Sequence, residues 1–134
     1  MNMRSFLLPA GMAVAAFALV PAGTAGPLQS DSLAKREASC TAGDTQECQL
    51  LGSAYELGLY APKDLAKARS AYERGCKPDD WTTGTSCMHL YKMASLGEGG
   101  PRDPAKARML EPKVCNSKII SQEVYLESFG LCKK

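Results

Sequence analysis

Six cysteines and one histidine are the residues of this sequence that are best suited to chemistry. Zinc sites usually combine cysteine with histidine, with two cysteines about two to four residues apart. No two cysteines here have that close spacing, and His89 is the only histidine. We therefore expect no metal site, and because the sequence has no glycine-rich phosphate loop of the Walker or dinucleotide type we also expect no cofactor. His89 has no evident nucleophile partner, so we expect it to be packed or solvated rather than catalytic.

A second pattern with chemical meaning is Ser32-Leu33-Ala34-Lys35, which matches the S-x-x-K pattern of serine β-lactamases. The companion patterns S-D-N and K-T-G are absent. With eleven serines and ten lysines in the chain, one such match arises by chance. We interpret Ser32 as a helix cap and Lys35 as a solvated residue, and we predict no catalytic residue.

The N-terminal residues predict an export signal. Arg4 is followed by a fifteen-residue apolar stretch, 6–20, and then by small residues up to Ala25. A membrane-spanning helix needs roughly twenty apolar residues, so this stretch is better suited to a cleaved signal peptide. We expect a signal peptide over residues 1–25 and cleavage after Ala25, with Ala22 as the alternative. The mature domain, 26–134, is then periplasmic or secreted, and its six cysteines should form disulfides.

The charge of the mature domain excludes two classes of partner. Without Arg4, 15 Lys and Arg residues face 14 Asp and Glu residues, and the two signs are interspersed. Binding to nucleic acid or to an anionic membrane surface requires a basic patch, which this distribution lacks. We expect neither partner after signal cleavage.

An internal repeat with an offset of 39 residues organises most of the mature chain. Segment 63–69 reads Lys-Asp-Leu-Ala-Lys-Ala-Arg, and segment 102–108 reads Arg-Asp-Pro-Ala-Lys-Ala-Arg. Further residues of the first unit recur identically in the second, namely Cys48, Leu51, Gly58, Pro62 and Cys76. A repeat of this length is typical of stacked helical units.

Each unit predicts an antiparallel pair of helices. In the unit 45–76, a first helix runs from Thr45 to Leu57 and stops at Gly58, which can adopt a left-handed C-cap. A second helix starts at Asp64, whose carboxylate can cap the free amides, and runs to Arg74. The unit 84–115 repeats this arrangement.

The flanks predict a half-unit over 31–41 and a closing helix over 117–130. Proline removes a helical hydrogen bond, so Pro112 predicts a kink or an end near Glu111 in the second helix of the unit 84–115.

The repeat motifs resemble those of the Sel-one-like repeat, a relative of the tetratricopeptide repeat, in its cysteine-rich secreted bacterial branch. The resemblance covers roughly residues 31–132 and rests on three motifs, Leu51-Gly52-x-x-Tyr55-Glu56-x-Gly58, Asp64-x-x-Lys67-Ala68-x-x-x-Tyr72 and Glu73-Arg74-Gly75-Cys76. It implies an all-α fold, a short right-handed solenoid of antiparallel helical hairpins stapled by disulfides. It also implies sequential pairing, Cys40 with Cys48, Cys76 with Cys87 and Cys115 with Cys132.

Proteins of this architecture bind partners on the surface formed by the first helix of each hairpin. The candidate partner surface consists of residues outside the apolar stripe, together with one tryptophan in the longer loop: Gln49, Ser53, Glu56, Trp81, Met88, Lys92 and Ser95. We expect a non-enzymatic module of the bacterial cell envelope or exterior that binds a protein or an extended peptide. Two alternatives stay open. The first is β-lactam binding or weak β-lactam hydrolysis, to which some cysteine-rich members of the resembled family have been linked, with Ser32 as the residue to test. The second is a secreted effector or virulence-associated protein.

Overall fold

A computed structural model describes residues 27–77, 80, 83–116 and 120–132 of the chain. The expected signal peptide and Trp81 lie outside these residues. In the described part the chain is all-helical, with six helices: α1 (Pro27–Thr41), α2 (Thr45–Leu57), α3 (Leu65–Gly75), α4 (Gly84–Leu96), α5 (Pro104–Cys115) and α6 (Ile120–Ser128). None of these helices is long and apolar enough to cross a membrane.

Local capping explains where α2, α3 and α5 begin and where α2 and α4 end. Asp44, Asp64 and Asp103 each accept a hydrogen bond from the backbone amide three residues later, at the start of α2, α3 and α5. Such a cap stabilises a helix by about 1 kcal/mol. Gly58 and Gly97 follow α2 and α4 in the left-handed conformation, with φ of 71° and 78°. The caps at Asp64 and Gly58 agree with the sequence prediction.

Three helix boundaries differ from the sequence prediction. Helix α1 starts at Pro27 rather than at residue 31, and α6 ends at Ser128 rather than at residue 130. Residues 117–119, at the expected start of α6, lie outside the described residues. The prediction that the helix could end near Glu111 is wrong, because α5 continues through Pro112 to Cys115. Proline lacks an amide donor and its ring crowds the preceding turn, and at Pro112 both effects fall near the C-terminal end of α5. Val114, which is 3% exposed, and the disulfide at Cys115 anchor that turn.

Each helix packs against the next one in the chain, so α2 with α3 and α4 with α5 form the two predicted hairpins. Contacts also join α1 to α3, α2 to α4 and α4 to α6. The handedness of the stack stays a prediction.

Tyr72 lies at the centre of the core and is fully buried. It packs against Gly52 of α2 so closely that a Cβ atom at this glycine would lie 2.6 Å from the tyrosine ring. The absence of a side chain at Gly52 therefore makes room for the largest buried residue. Leu51, Met93, Leu110 and Leu126 complete the centre of the core.

Three disulfides join Cys40 to Cys48, Cys76 to Cys87 and Cys115 to Cys132, the pairs that the resemblance implies. The first two connect the end of one helix to the beginning of the next. In the third, Cys132 follows α6, so this bridge ties the segment after α6 back to the end of α5. Closing loops of these lengths contributes about 3 kcal/mol each in the chain-entropy model.

Candidate functional site

The structure places the expected partner surface differently from the prediction. Met88 and Lys92 are only 7% and 5% exposed, so the expectation that they lie on an open surface is wrong. Gln49, Ser53 and Ser95 are half-buried. Trp81 lies outside the described residues. The rings of Tyr125 in α6 and Phe129 just after it lie over the ammonium group of Lys92.

An ion pair between α2 and α4 lies beneath these aromatic rings. The Nζ atom of Lys92 donates a hydrogen bond of 2.8 Å to Oε1 of Glu56, and it lies 3.1 Å from Oε2 of Glu98. The same ammonium lies 5.0 Å from the ring centroid of Phe129 and 5.8 Å from that of Tyr125. Cation–π contacts of this kind stabilise a buried ammonium. Lys92 therefore links both hairpins and α6.

The second carboxylate oxygen of Glu56 has its own partners. The hydroxyl group of Tyr72 donates a hydrogen bond of 2.8 Å to Oε2, and Nδ1 of His89 lies 2.9 Å from the same oxygen. The His89 ring stacks on the Tyr72 ring with centroids 4.6 Å apart. His89 is thus packed within a polar cluster, as the sequence suggested. We call Glu56, Tyr72, His89, Lys92 and Tyr125 the buried cluster.

The contacts of the buried cluster determine the ionisation of its charged members. Burial by itself raises the pKa of Glu56, but the close contact with His89 and the hydrogen bonds from Lys92 and Tyr72 outweigh it and lower the pKa to about 2. Burial by itself lowers the pKa of Lys92, and its hydrogen bonds, chiefly with Glu56, raise it above its ordinary value instead. Both groups are therefore charged at neutral pH, and the cluster is an ion pair that joins helices.

Sequence reasoning missed this cluster, although a signal for it was present. His89 and Lys92 stand three residues apart on α4, and Tyr125 and Phe129 stand four apart, so each pair shares one helix face. The pairing of Lys92 with Glu56 spans 36 residues and depends on how the hairpins pack. Within the described residues, no group of three or more histidine, cysteine, aspartate or glutamate side chains could hold a metal ion.

Ser32 and Lys35 line one depression between α1 and α2, together with Arg36, Ser39 and Glu47. Both Ser32 and Lys35 are exposed. A lysine activates a serine as a base when it is desolvated and loses its proton at neutral pH. An exposed pair on the outer face of a helix lacks that environment, so this depression offers little support for acyl transfer.

Exposed apolar side chains concentrate at the turn between α2 and α3. Leu57, Leu59 and Tyr60 are 67%, 47% and 52% exposed, and we call them the first hairpin tip. Tyr60 has a φ of 64°, in the left-handed region that glycine favours. At the equivalent positions of the second unit, Glu98 replaces Leu59 and Gly99 replaces Tyr60.

A groove lies beside the first hairpin tip, between α1 and the turn. Its lining combines apolar groups with charged ones: Leu33, Tyr55, Ala61, Pro62, Lys63, Asp64 and Lys67. We call it the first-unit groove. The ammonium of Lys67 lies 5.1 Å from the centroid of the Tyr55 ring, and the hydroxyl of Tyr55 donates a hydrogen bond to Glu37. Burial and this hydrogen bond raise the pKa of Tyr55 to about 12, so the hydroxyl keeps its proton at neutral pH.

Comparison of the sequence with protein-family models and with curated proteins finds no match. The Sel-one-like resemblance therefore continues to rest on the motif residues alone.

Proposed function

We propose that this protein is a non-enzymatic interaction module that binds another protein or an extended peptide through the first hairpin tip. The observation that carries the proposal is the exposure of Leu57, Leu59 and Tyr60 within four consecutive residues. Contiguous exposed apolar side chains on a small protein mark interaction sites far more often than single ones do.

The backbone of Tyr60 supports this proposal. A residue other than glycine in the left-handed conformation costs about 1–2 kcal/mol. Gly99 occupies the equivalent position of the second unit with a φ of 66° and without this cost. A half-exposed tyrosine contributes little to the core in return. A binding role explains why a large aromatic residue stands where glycine is the favourable choice.

The proposed location is the periplasm or the exterior of a bacterial cell. Three disulfides in a small domain are typical of an oxidising compartment, because cytosolic thiols are kept reduced. The predicted signal peptide agrees with this location.

Site-specific photo-crosslinking tests the proposal. A photoreactive phenylalanine at Leu59 in the oxidised protein, exposed to an envelope extract, should label a discrete partner. The same photoreactive residue at Arg102 serves as the matched control, because Arg102 is exposed in the corresponding turn of the second unit. Equal labelling from both positions, or none from Leu59, would contradict the proposed surface. Excess unlabelled wild-type protein should compete for a specific partner.

A further inference from the structure

The cysteines define which residues of α1 and α3 are equivalent. Cys40 ends α1 as Cys76 ends α3, which is an offset of 36 residues. By this register Leu33 stands where α3 has Arg69, and Glu37 stands where α3 has Glu73. The turns of the two hairpins follow the offset of 39. By these registers, α1 meets the turn between α2 and α3 as α3 meets the turn between α4 and α5, and we call these two places the first and the second junction.

In the second unit this junction is closed by polar contacts. Nη1 of Arg69 donates hydrogen bonds to the carbonyl oxygens of Pro101 and Glu98, at 2.8 and 3.4 Å. The ammonium of Lys106 pairs directly with the carboxylate of Glu73. A charged side chain and an ion pair thus fill the space between α3 and the turn.

In the first unit the same junction is the open first-unit groove. Leu33 replaces Arg69, and Ala61 replaces Gly100, beside which the guanidinium of Arg69 lies in the second unit. The groove floor is therefore apolar, and Leu33 and Ala61 both pack against the core. Because Leu33 has no donor, it cannot bridge the turn as Arg69 does.

The lysine of the first junction also lacks the carboxylate that its counterpart has. Tyr55 stands where the second unit has Ala94. Its hydroxyl group donates a hydrogen bond to the carboxylate of Glu37, which is therefore engaged by Tyr55 rather than by a lysine. Lys67, the counterpart of Lys106, lies over the Tyr55 ring instead. Within the part of the chain that the structure describes, neither Lys67 nor Lys63 forms an ion pair, and both are exposed.

We infer that the first-unit groove binds an extended peptide in which an apolar residue adjoins an aspartate or glutamate. The apolar side chain of the peptide packs on Leu33, Ala61 and Pro62. The carboxylate of the peptide pairs with Lys67 as the carboxylate of Glu73 pairs with Lys106. This inference rests on the proposed function and names the chemistry of the partner. The carboxylates of Asp64 and Glu37 already accept hydrogen bonds, from the amide of Lys67 and the hydroxyl of Tyr55. The ammonium groups of Lys63 and Lys67 therefore provide the recognition of an acid.

A peptide library tests the inference. Acetylated and amidated hexapeptides that vary at two adjacent central positions are presented to the oxidised full-length protein. Wild type should enrich an aliphatic or aromatic residue next to aspartate or glutamate. In fluorescence anisotropy with acetyl-Gly-Gly-Leu-Glu-Gly-Gly-amide carrying a dye on an added lysine, Lys67→Gln should weaken binding at least about tenfold. Replacement of the peptide glutamate by glutamine should weaken it by a similar factor.

The matched control is Lys106→Gln, which removes the equivalent lysine of the second unit and should leave the dissociation constant unchanged. Circular dichroism establishes that both variants are folded. Enrichment without an acidic residue, or equal binding by Lys67→Gln and wild type, would overturn the inference. So would an absence of peptide binding altogether. The crosslinking experiment separates this failure from failure of the proposed function. A protein that binds no peptide but is labelled through Leu59 would contradict the inference alone.

Discussion

The turns of the two hairpins share a backbone conformation and use it differently. Position 60 in the first and position 99 in the second both have φ near 65°. In the second unit the position is glycine, and a Cβ atom there would overlap the carbonyl oxygen of Leu65 in α3. In the first unit the position is a tyrosine that is half exposed to solvent. One repeated backbone geometry therefore serves internal packing in the second unit and leaves an exposed surface in the first.

Lys92 and Lys67 show the same contrast between a structural role and an exposed surface. Lys92 is buried with two carboxylates and two aromatic rings around its ammonium group. Lys67 is exposed, and its ammonium faces one aromatic ring. The first holds the hairpins and α6 together, whereas the second is available to a partner.

The largest expected effect comes from breaking the ion pair that joins the two units. Glu56→Ala should lower the free energy of unfolding by about 4 kcal/mol, because it leaves the buried Lys92 with only its partial pairing to Glu98. Denaturant titration of the oxidised protein measures this change. Glu47→Ala is the matched control, since Glu47 pairs with Arg36 on the surface and its loss should cost less than about 1 kcal/mol. Equal effects of the two substitutions would contradict the structural role of the cluster.

The turns themselves provide the next test, with opposite signs at equivalent positions. Gly99→Ala should destabilise the protein by about 3 kcal/mol, because alanine is strained at this φ and its Cβ collides with the backbone of α3. Tyr60→Gly should instead stabilise it by about 0.5 kcal/mol, because relief of backbone strain exceeds the added entropy of the unfolded chain. Thermal unfolding of both variants measures the sign and size of each change in stability. A loss of stability in both would remove the distinction between the turns.

Low pH should weaken the ion pair of Glu56 and Lys92 that joins the two units. The pKa of Glu56 is lowered in the folded protein from its ordinary value of 4.5 to about 2. A depressed carboxyl pKa stabilises the fold above the unfolded value, and this stabilisation is lost as pH falls from about 4.5 toward 2. Its full magnitude is about 3 kcal/mol. Chemical denaturation between pH 2 and pH 6 should show this decline in wild type, and a similar decline in Glu56→Gln would assign it to other groups.

The smallest expected effects concern the carboxylates of the two junctions. Tyr55→Phe removes the hydrogen bond to Glu37 in the first unit and should lower stability by about 1 kcal/mol. Glu73→Gln removes the more exposed ion pair with Lys106 and should lower it by less than about 0.5 kcal/mol. Calorimetry on the two variants measures both. A larger loss for Glu73→Gln would show that the second junction is held by its ion pair rather than by Arg69.

Local sequence signals predicted most of the fold, because helix caps act within a few residues. Asp64 and Gly58 fixed the ends of helices in the first hairpin. Pro112 gave a wrong prediction for the end of α5. The destabilisation that a proline causes depends on how firmly the following turn is held, and here the buried Val114 holds it. The buried cluster and the groove depend on contacts between distant segments. Lys92 is polar in the sequence, and only the position of α6 shows that it is covered.

The central claim is that the first junction is open to an acidic ligand and the second is not. Amide chemical shifts of the isotope-labelled, oxidised protein test it most directly during titration with acetyl-Gly-Gly-Leu-Glu-Gly-Gly-amide. We expect saturable shifts around residue 33 and over 59–67, no shifts over 98–106, and loss of the shifts in Lys67→Gln. Shifts centred on 98–106, or shifts that persist in Lys67→Gln, would contradict it.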